Sequence, residues 1–200
     1  MAISTRLSMQ KCFVFAVLIF AFSGLRAQTF VAAAQDGDAN AQYKLGKMYS
    51  QDGKMQKDMK RALYWYKKAA EQNQKDAVMA LADLYYYGVD VKQNLHLAFT
   101  YYKQAFEAGN YEAAYSLGEM YSQGVGVAKH LPTAFTYYKQ AADNGGLAKA
   151  MFKTGTMLYE GQGCKKDVAQ AINYIKMAYQ EGYPTALNYW NENQLWQYEE

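Results

Sequence analysis

The stretch Ala113–Ala114–Tyr115–Ser116–Leu117–Gly118–Glu119–Met120–Tyr121 decides the fold, because versions of it recur every 36 or 37 residues. Residues 41–49 (AQYKLGKMY) and 77–85 (AVMALADLY) repeat it closely, and residues 150–158 (AMFKTGTML) repeat it less closely. Repetition at this period indicates a stack of similar units rather than one globular core. The functional question therefore becomes which surface of the stack meets a partner.

Each repeat is predicted to contain two helices. In the first, Ala41, Leu45, Met48 and Tyr49 have the spacing of one apolar helical face. A glycine-containing loop follows in the later repeats, for example at residues 124–127, and glycine after the last periodic residue is a helix-stop signal. The sequence thus predicts an all-α chain of helix pairs.

The second helix of repeat one is predicted from about Asp58 to Gln72. Its counterparts repeat small and aromatic residues in fixed columns, which lets helices approach closely and fills the space between them. One small column is Ala62, Ala98, Ala134 and Ala171, and one large column is Tyr66, Tyr102, Tyr138 and Ile175. The N-caps are predicted at Asp58, Asn94 and Asp167, with a poorer cap at His130.

Residues 1–27 have the pattern of a cleavable export signal. Arg6 and Lys11 precede eleven apolar residues, 12–22, and Ala27 is a small residue at a plausible cleavage point. The alternative is a membrane anchor, but eleven helical residues cover only about half of a ~30 Å hydrocarbon core. We therefore expect a periplasmic or secreted protein with no membrane span after cleavage.

Loss of this segment removes the net positive charge. Three of the 21 basic residues and none of the 18 acidic residues lie in 1–27, so the rest of the chain is formally neutral. Nucleic-acid binding then has no electrostatic support. Cys164 is the one cysteine after the signal, so no intramolecular disulfide is expected.

The repeated string Ala-x-x-x-Leu-Gly-x-x-Tyr-x-x-Gly-x-x-Val, followed by Ala-x-x-(Trp/Tyr)-Tyr-x-x-Ala-Ala-x-x-Gly, resembles the Sel1-like repeat family. Residues 113–145 match it almost completely, whereas repeat four has Thr154 in place of Leu and Leu158 in place of Tyr. The resemblance implies a right-handed α-solenoid of antiparallel helix pairs, related to tetratricopeptide repeats. It also implies adaptor work in protein complexes, often at the bacterial envelope or at a host interface.

The predicted domain is a solenoid over residues 28–190. It is followed by a polar tail over 191–200, in which Leu195 and Trp196 are left to pack or to bind. The solenoid has a lone helix at each end, and its four repeats are assigned to residues 41–76, 77–112, 113–149 and 150–185.

The first helices of helix-pair solenoids usually line the concave surface, and their varying positions are the candidates for recognition. Spacing of i, i+3 and i+7 places these positions on one helical face. We expect a groove of acidic and aromatic side chains suited to a protein or peptide partner. The predicted partner-binding residues are Asp83, Tyr86, Tyr87, Glu119, Gln123 and Tyr159.

A lysine ladder on the second helices is predicted to be a solvated outer face. Glu71 and Glu107 lie four residues after two of these lysines and are expected to pair with them. An acidic partner or anionic lipid is the alternative reading of this face. The ladder is Lys67, Lys103, Lys139 and Lys176.

Signals for chemistry are weak. The two histidines, His96 and His130, occupy different positions within their repeats, and the sequence has no cluster with metal-ligand spacing. No catalytic, cofactor-binding or metal-binding residue is assigned, and no cofactor is expected. Cys164 replaces the valine of its loop column, which favours a packing role over a reactive thiol or an intermolecular bridge.

Three functions follow from these observations. The first is a non-enzymatic adaptor or scaffold that holds a protein or peptide on the concave face. The second, which the resemblance to the Sel1-like repeat family implies, is a periplasmic immunity protein that blocks a cognate secreted toxin enzyme by one-to-one binding. The third is an enzyme acting on cell-wall fragments, for which the sequence offers no catalytic constellation.

Overall fold

The computed structural model describes residues 30–51 and 56–198, and all regular structure in these ranges is helical. The all-α prediction is therefore confirmed. The predicted export signal lies outside the described residues, as do the last two residues of the predicted tail. No helix in the described ranges is long and apolar enough to cross a membrane.

Ten α-helices and one 3₁₀ helix make up the described chain. Helix α1 covers residues 30–35. The others are α2 (Ala39–Ser50), α3 (Met59–Glu71), α4 (Lys75–Tyr87), α5 (Leu95–Glu107), α6 (Tyr111–Gln123), α7 (Leu131–Asp143), α8 (Ala148–Glu160), α9 (Val168–Gln180), α10 (Pro184–Glu192) and the 3₁₀ helix Leu195–Tyr198. The chain divides after Gln74 into an N-terminal body, which holds α1 to α3, and a C-terminal body, which holds the rest.

In the N-terminal body, α2 pairs with α3 and the end of α1 covers the pair. Ala34 of α1 is buried with Ala41 and Leu45 of α2. Gln42 is also buried, but its amide nitrogen donates to the Ala34 carbonyl at 3.0 Å and its oxygen accepts from Gln72 at 2.9 Å. The polar side chain is thus satisfied, as burial requires.

The C-terminal body has two layers of helices. The first helices of the repeats, α4, α6 and α8, form one layer together with α10, and the second helices, α5, α7 and α9, form the other. Across the first layer, Lys149 of α8 reaches Glu112 of α6 at 2.6 Å. Across the second layer, the rings of Phe106 and Tyr137 meet edge to face with centroids 5.6 Å apart.

The predicted caps are confirmed at the starts of the second helices. Asp58, Asn94 and Asp167 accept from the backbone N–H three residues ahead at 3.1, 3.0 and 2.9 Å. His130 also caps its helix, through Nδ1 and the N–H of Thr133, but at a longer 3.3 Å. The same backbone geometry at all four sites fixes where each second helix begins.

Repeats three and four are spaced 37 residues apart instead of 36, and the additional residue lies in a turn between helices. Helices α3 to α9 all contain 13 residues. The turns that lead from a second helix to the next first helix span residues 72–74, 108–110 and 181–183, whereas the turn after α7 spans 144–147. The extra residue therefore leaves the helices and their packing faces in register.

Repeat four packs well despite its departures from the pattern. Thr154 is fully buried, and its hydroxyl donates to the Ala150 carbonyl one turn earlier at 2.8 Å. Leu158 is also buried, in an apolar cluster built mainly from helices α7 to α10. Leu195 of the tail joins this cluster and is fully buried, whereas its neighbour Trp196 is exposed.

The loop of repeat four is anchored to the start of α7 by Gly163. Its φ of +70° lies in the left-handed region, and a Cβ at this position would stand 2.4 Å from the backbone carbonyl carbon of Leu131. Any side chain would therefore meet rigid backbone as well as backbone strain. Gly182 has a similar φ of +79° but no atom within 4 Å of its Cβ position.

We expect Gly163→Ala to lower the free energy of unfolding by about 3 kcal/mol, through left-handed strain plus the clash with Leu131. Gly182→Ala is the matched control and should cost only about 1 kcal/mol, the strain alone. Urea denaturation followed by circular dichroism measures both. Equal losses for the two variants would show that the loop does not need the close approach at Gly163.

Candidate partner-binding face

The six predicted residues all lie on the first helices of repeats two, three and four. We call this surface the first-helix face and define it by Asp83, Tyr86 and Tyr87 on α4, Glu119 and Gln123 on α6, and Tyr159 on α8. Tyr87 and Gln123 are exposed, and Tyr87 retains 66% of its surface. The other four side chains are half-buried.

Asp83 is an internal hydrogen-bond acceptor. The buried hydroxyl of Tyr102, on the second helix of the same repeat, donates to its carboxylate at 2.7 Å. Burial raises the pKa of Asp83, and the hydrogen bond from Tyr102 offsets only part of that rise. The carboxylate thus ties α4 to α5, a role that sequence reasoning did not assign to it.

Glu119 plays the same role in repeat three with more partners. The hydroxyl of Tyr138 donates to one carboxylate oxygen at 2.6 Å, and the amide of Gln123 donates to the other at 2.6 Å. Lys153 on α8 stands 3.4 Å from the first oxygen. The Tyr138 hydroxyl also lies 3.0 Å from the Ser122 hydroxyl. Glu119 therefore joins three helices, α6, α7 and α8.

The tyrosine hydroxyls are held in their neutral form. Burial, reinforced by the adjacent carboxylates, raises the pKa of Tyr102 and Tyr138 well above the usual 10. A neutral phenol is the hydrogen-bond donor that an ionised carboxylate needs. The other two repeats lack the pair. Repeat one has Lys47 at the position of the acid, and its Tyr66 meets Ser50 at 3.0 Å, whereas repeat four has Ile175 in the tyrosine column.

Two lysines on α8 change the charge expected for this face. Lys153 approaches Glu119, while Lys149 pairs with Glu112 and places its ammonium 4.4 Å from the ring centroid of Tyr115. Sequence reasoning singled out neither Lys149 nor Glu112, although both lie on first helices. The surface around the first-helix face therefore carries charges of both signs rather than acidic charge alone.

Aromatic rings cluster at separate points of the face. Tyr86 meets Tyr87 edge to face with centroids 5.0 Å apart, and it meets Tyr102 in the same manner at 6.0 Å. Tyr159 instead contacts Tyr189 of α10 at 6.3 Å, and Lys166 lies 5.3 Å above its ring. The structure thus brings Asp83, Tyr86 and Tyr87 together on α4 and places Tyr159 beside α10.

The lysine ladder is partly paired, but in a different pattern from the expected one. Glu71 pairs with Lys68 at 3.1 Å and not with Lys67, because the i+3 neighbour reaches it. Lys139 does form the i+4 ion pair, with Asp143, and it also donates to the Tyr174 hydroxyl at 2.9 Å. Lys67 and Lys103 are exposed, whereas Lys139 is half-buried against the next repeat.

Cys164 is half-buried, and its thiol donates to the Met157 carbonyl at 3.5 Å. Burial raises the pKa of this thiol, so the reactive thiolate is disfavoured. It packs with the apolar clusters of repeats three and four, as the packing interpretation predicts. Within residues 30–51 and 56–198, no group of three or more His, Cys, Asp or Glu side chains is placed to hold a metal ion.

The raised pKa of Asp83 gives a test in pH. Its ionisation is disfavoured in the folded chain, so the folded state loses stability relative to the unfolded state as pH rises from below 3.8 through the raised pKa. Asp83→Asn keeps an acceptor for Tyr102 without the charge. As pH rises across this range, we expect the free energy of unfolding of Asp83→Asn to increase relative to that of the wild type. The variant should remain the more stable protein at neutral pH, as measured by urea denaturation. A pH-independent difference between the two proteins would contradict the assignment.

Comparison with known proteins identifies the repeat. The Sel1 repeat matches residues 39–74, 75–110, 112–146 and 148–183, about two residues before the boundaries expected from the sequence. No curated protein matches the chain in sequence.

Solved structures agree with this match. The chain is 29% identical to c5321, a protective antigen of uropathogenic Escherichia coli with an SLR fold, with a TM-score of 0.79 over 84% of this chain and 36% of that protein. It is 28% identical to a Sel1 repeat protein from Oxalobacter formigenes, with a TM-score of 0.76 over 82% of this chain and 47% of that protein. It is also 28% identical to the Helicobacter pylori cysteine rich protein B, with a TM-score of 0.51 over 69% of this chain and 98% of that protein.

The chain thus spans less than half the length of the first two proteins. Sel1-repeat proteins generally mediate protein–protein interactions and serve as non-catalytic scaffolds. Four matched repeats cover more than half of the 200 residues, and the chain belongs to the Sel1 repeat family.

Proposed function

We propose that this chain is an exported, non-catalytic Sel1-repeat protein that holds a partner protein or an extended peptide against the first-helix face. The observation that carries the proposal is the contrast within that face. Asp83 and Glu119 are fixed by buried tyrosines, while Tyr87 and Gln123 beside them are exposed. A surface held rigid before contact loses little conformational entropy when a partner binds.

The exposed groups suit protein recognition. Tyr87 offers a large ring and a hydroxyl with few rotatable bonds, and its edge-to-face contact with Tyr86 restricts it further. Gln123 is oriented by its bond to Glu119 and keeps a carbonyl oxygen for a partner backbone. Charges of both signs nearby favour one register of the partner over others.

The face is best tested on the exposed residues. Exchange of Asp83 or Glu119 for lysine would strand a buried tyrosine hydroxyl and remove stability together with any binding. Tyr87→Ala with Gln123→Ala leaves those bonds in place. Tyr64→Ala is the matched control, because Tyr64 is an exposed aromatic on α3, outside the face.

We expect the double variant to weaken binding of the native partner at least tenfold with an unchanged thermal midpoint, whereas Tyr64→Ala binds as the wild type does. The partner is first identified by affinity purification from the native envelope and mass spectrometry, and is then titrated by calorimetry. Full affinity in the double variant would rule out the first-helix face. A one-to-one complex that abolishes the activity of a toxin enzyme would identify the immunity role instead of the adaptor role.

Export is a separate part of the proposal. If residues 1–27 are a cleaved signal, the protein isolated from the envelope fraction begins at Gln28 and has lost Arg6, Lys11 and Arg26. Intact-mass measurement of the native protein checks this directly. A mass that retains residues 1–27 would contradict export by cleavage and leave the binding face untouched.

A further inference from the structure

A cleft of about 570 Å³ opens in repeat four, on the side of the second helices and loops. Its apolar wall includes Phe135 of α7, Leu158 of α8 and Cys164 of the loop. Lysines at 139, 165 and 166 also line it. Lys166 also stands 5.3 Å above the ring of Tyr159 of the first-helix face, whereas the other lining residues lie outside that face. The cleft has no part in the function proposed above.

The cleft exists because repeat four departs from the other repeats at one position. In repeat three, the ring of Tyr121 stacks on Tyr137 at 5.8 Å and meets Phe99 edge to face at 5.7 Å. Leu158 occupies the place of Tyr121 in repeat four, and Phe135 occupies the place of Phe99. Without the tyrosine ring, one side of Phe135 faces the cleft.

The loop of repeat four differs at the same site. Cys164 stands where repeat three has Val127, and the adjacent lysines 165 and 166 stand where it has Ala128 and Lys129. Burial keeps the Cys164 thiol neutral by raising its pKa, so the inner wall carries no charge. The substitutions thus remove an aromatic ring from the wall and add a positive charge at the rim.

The charges that line the cleft are unbalanced. Asp167 is the one acidic residue of the lining, and its carboxylate already caps α9 by accepting from Gln170 at 2.9 Å. Lys139 is held by Asp143 and Tyr174. Lys165 and Lys166 are exposed at the rim. An occupant that complements this cleft brings an apolar group for the wall and carboxylates for the rim.

We propose that this cleft binds an acidic peptide segment of a partner protein, with one aliphatic side chain against Phe135, Leu158 and Cys164 and flanking carboxylates at Lys165 and Lys166. A peptide meets both requirements at once, because side chains on either side of an inserted residue reach the rim. The adjacent lysines supply long, adaptable donors for carboxylates. Repeat four thereby acquires a recognition site from the same substitutions that weaken its match to the repeat pattern.

The probe is a fluorescein-labelled pentapeptide, Glu-Glu-Leu-Glu-Glu, followed by fluorescence anisotropy with the full chain at low salt. Glu-Glu-Ser-Glu-Glu and Gln-Gln-Leu-Gln-Gln are the control peptides, each lacking one of the two required features. We expect at least tenfold weaker binding of both controls. Equal binding of all three peptides, or no binding of the first, would overturn the proposal.

Variants of the chain locate the site. Leu158→Tyr restores the residue of the other three repeats. It should weaken binding of Glu-Glu-Leu-Glu-Glu at least tenfold, because the new ring covers Phe135. Leu187→Tyr is the matched control, because Leu187 is an exposed leucine of α10 outside the cleft, and it should bind as the wild type does. Unchanged affinity in Leu158→Tyr would overturn the assignment. If that variant does not fold, Lys165→Gln with Lys166→Gln on the exposed rim gives the same test, with a tenfold loss expected.

Two further measurements separate this proposal from its alternatives. Tyr87→Ala with Gln123→Ala should bind the pentapeptide normally, so failure of the first-helix face leaves this result unaffected. Binding of the peptide should also slow alkylation of Cys164 by iodoacetamide, mapped by mass spectrometry. A wild-type chain that binds laurate or itself at this cleft, but none of the peptides, would overturn the choice of a peptide occupant.

Discussion

The contact on which each helix pair depends is a large side chain of the second helix laid against a small residue of the first. A Cβ on Gly46 or Gly118 would stand 2.7 Å from the ring of Tyr66 or Tyr138, so the ring rests directly on the helix backbone. Repeat four keeps the arrangement with Ile175 against Gly155. Ring and backbone in such contact fix the separation of the two helices, and the remaining columns follow from that spacing.

The tyrosine hydroxyl connects this packing contact to the first-helix face. A phenol buried this deeply needs a partner, and in repeats two and three the partner is an acid on the first helix. Asp83 and Glu119, whose position varies in residue type between repeats, are therefore held in place by hydrogen bonds from the buried tyrosines. In the function proposed here, recognition is assigned to their exposed neighbours, Tyr87 and Gln123, so the structural and the recognition roles lie close together on the same helices.

The periodicity of the sequence was sufficient to predict the helix pairs, the caps and the buried columns, because each depends on residues close together in the chain. The hydrogen bonds of Asp83 and Glu119 were not predicted, since they join residues 19 apart whose side chains meet only after the helices pack. Lys149 and Lys153 were missed for a similar reason, as their acidic partners lie on the preceding first helix. The cleft of repeat four also needed the structure, although Leu158 and Cys164 were recognisable as departures from the pattern.

The longer turn after α7 shows where such an array accommodates a change in length. An additional residue inside a helix would rotate everything beyond it by about 100°, and the apolar face would turn away from its neighbour. Placed between a second helix and the next first helix, the same residue is neutral to packing. These turns are accordingly the natural positions for tags, epitopes or whole inserted domains, and variation in length within the family should collect there.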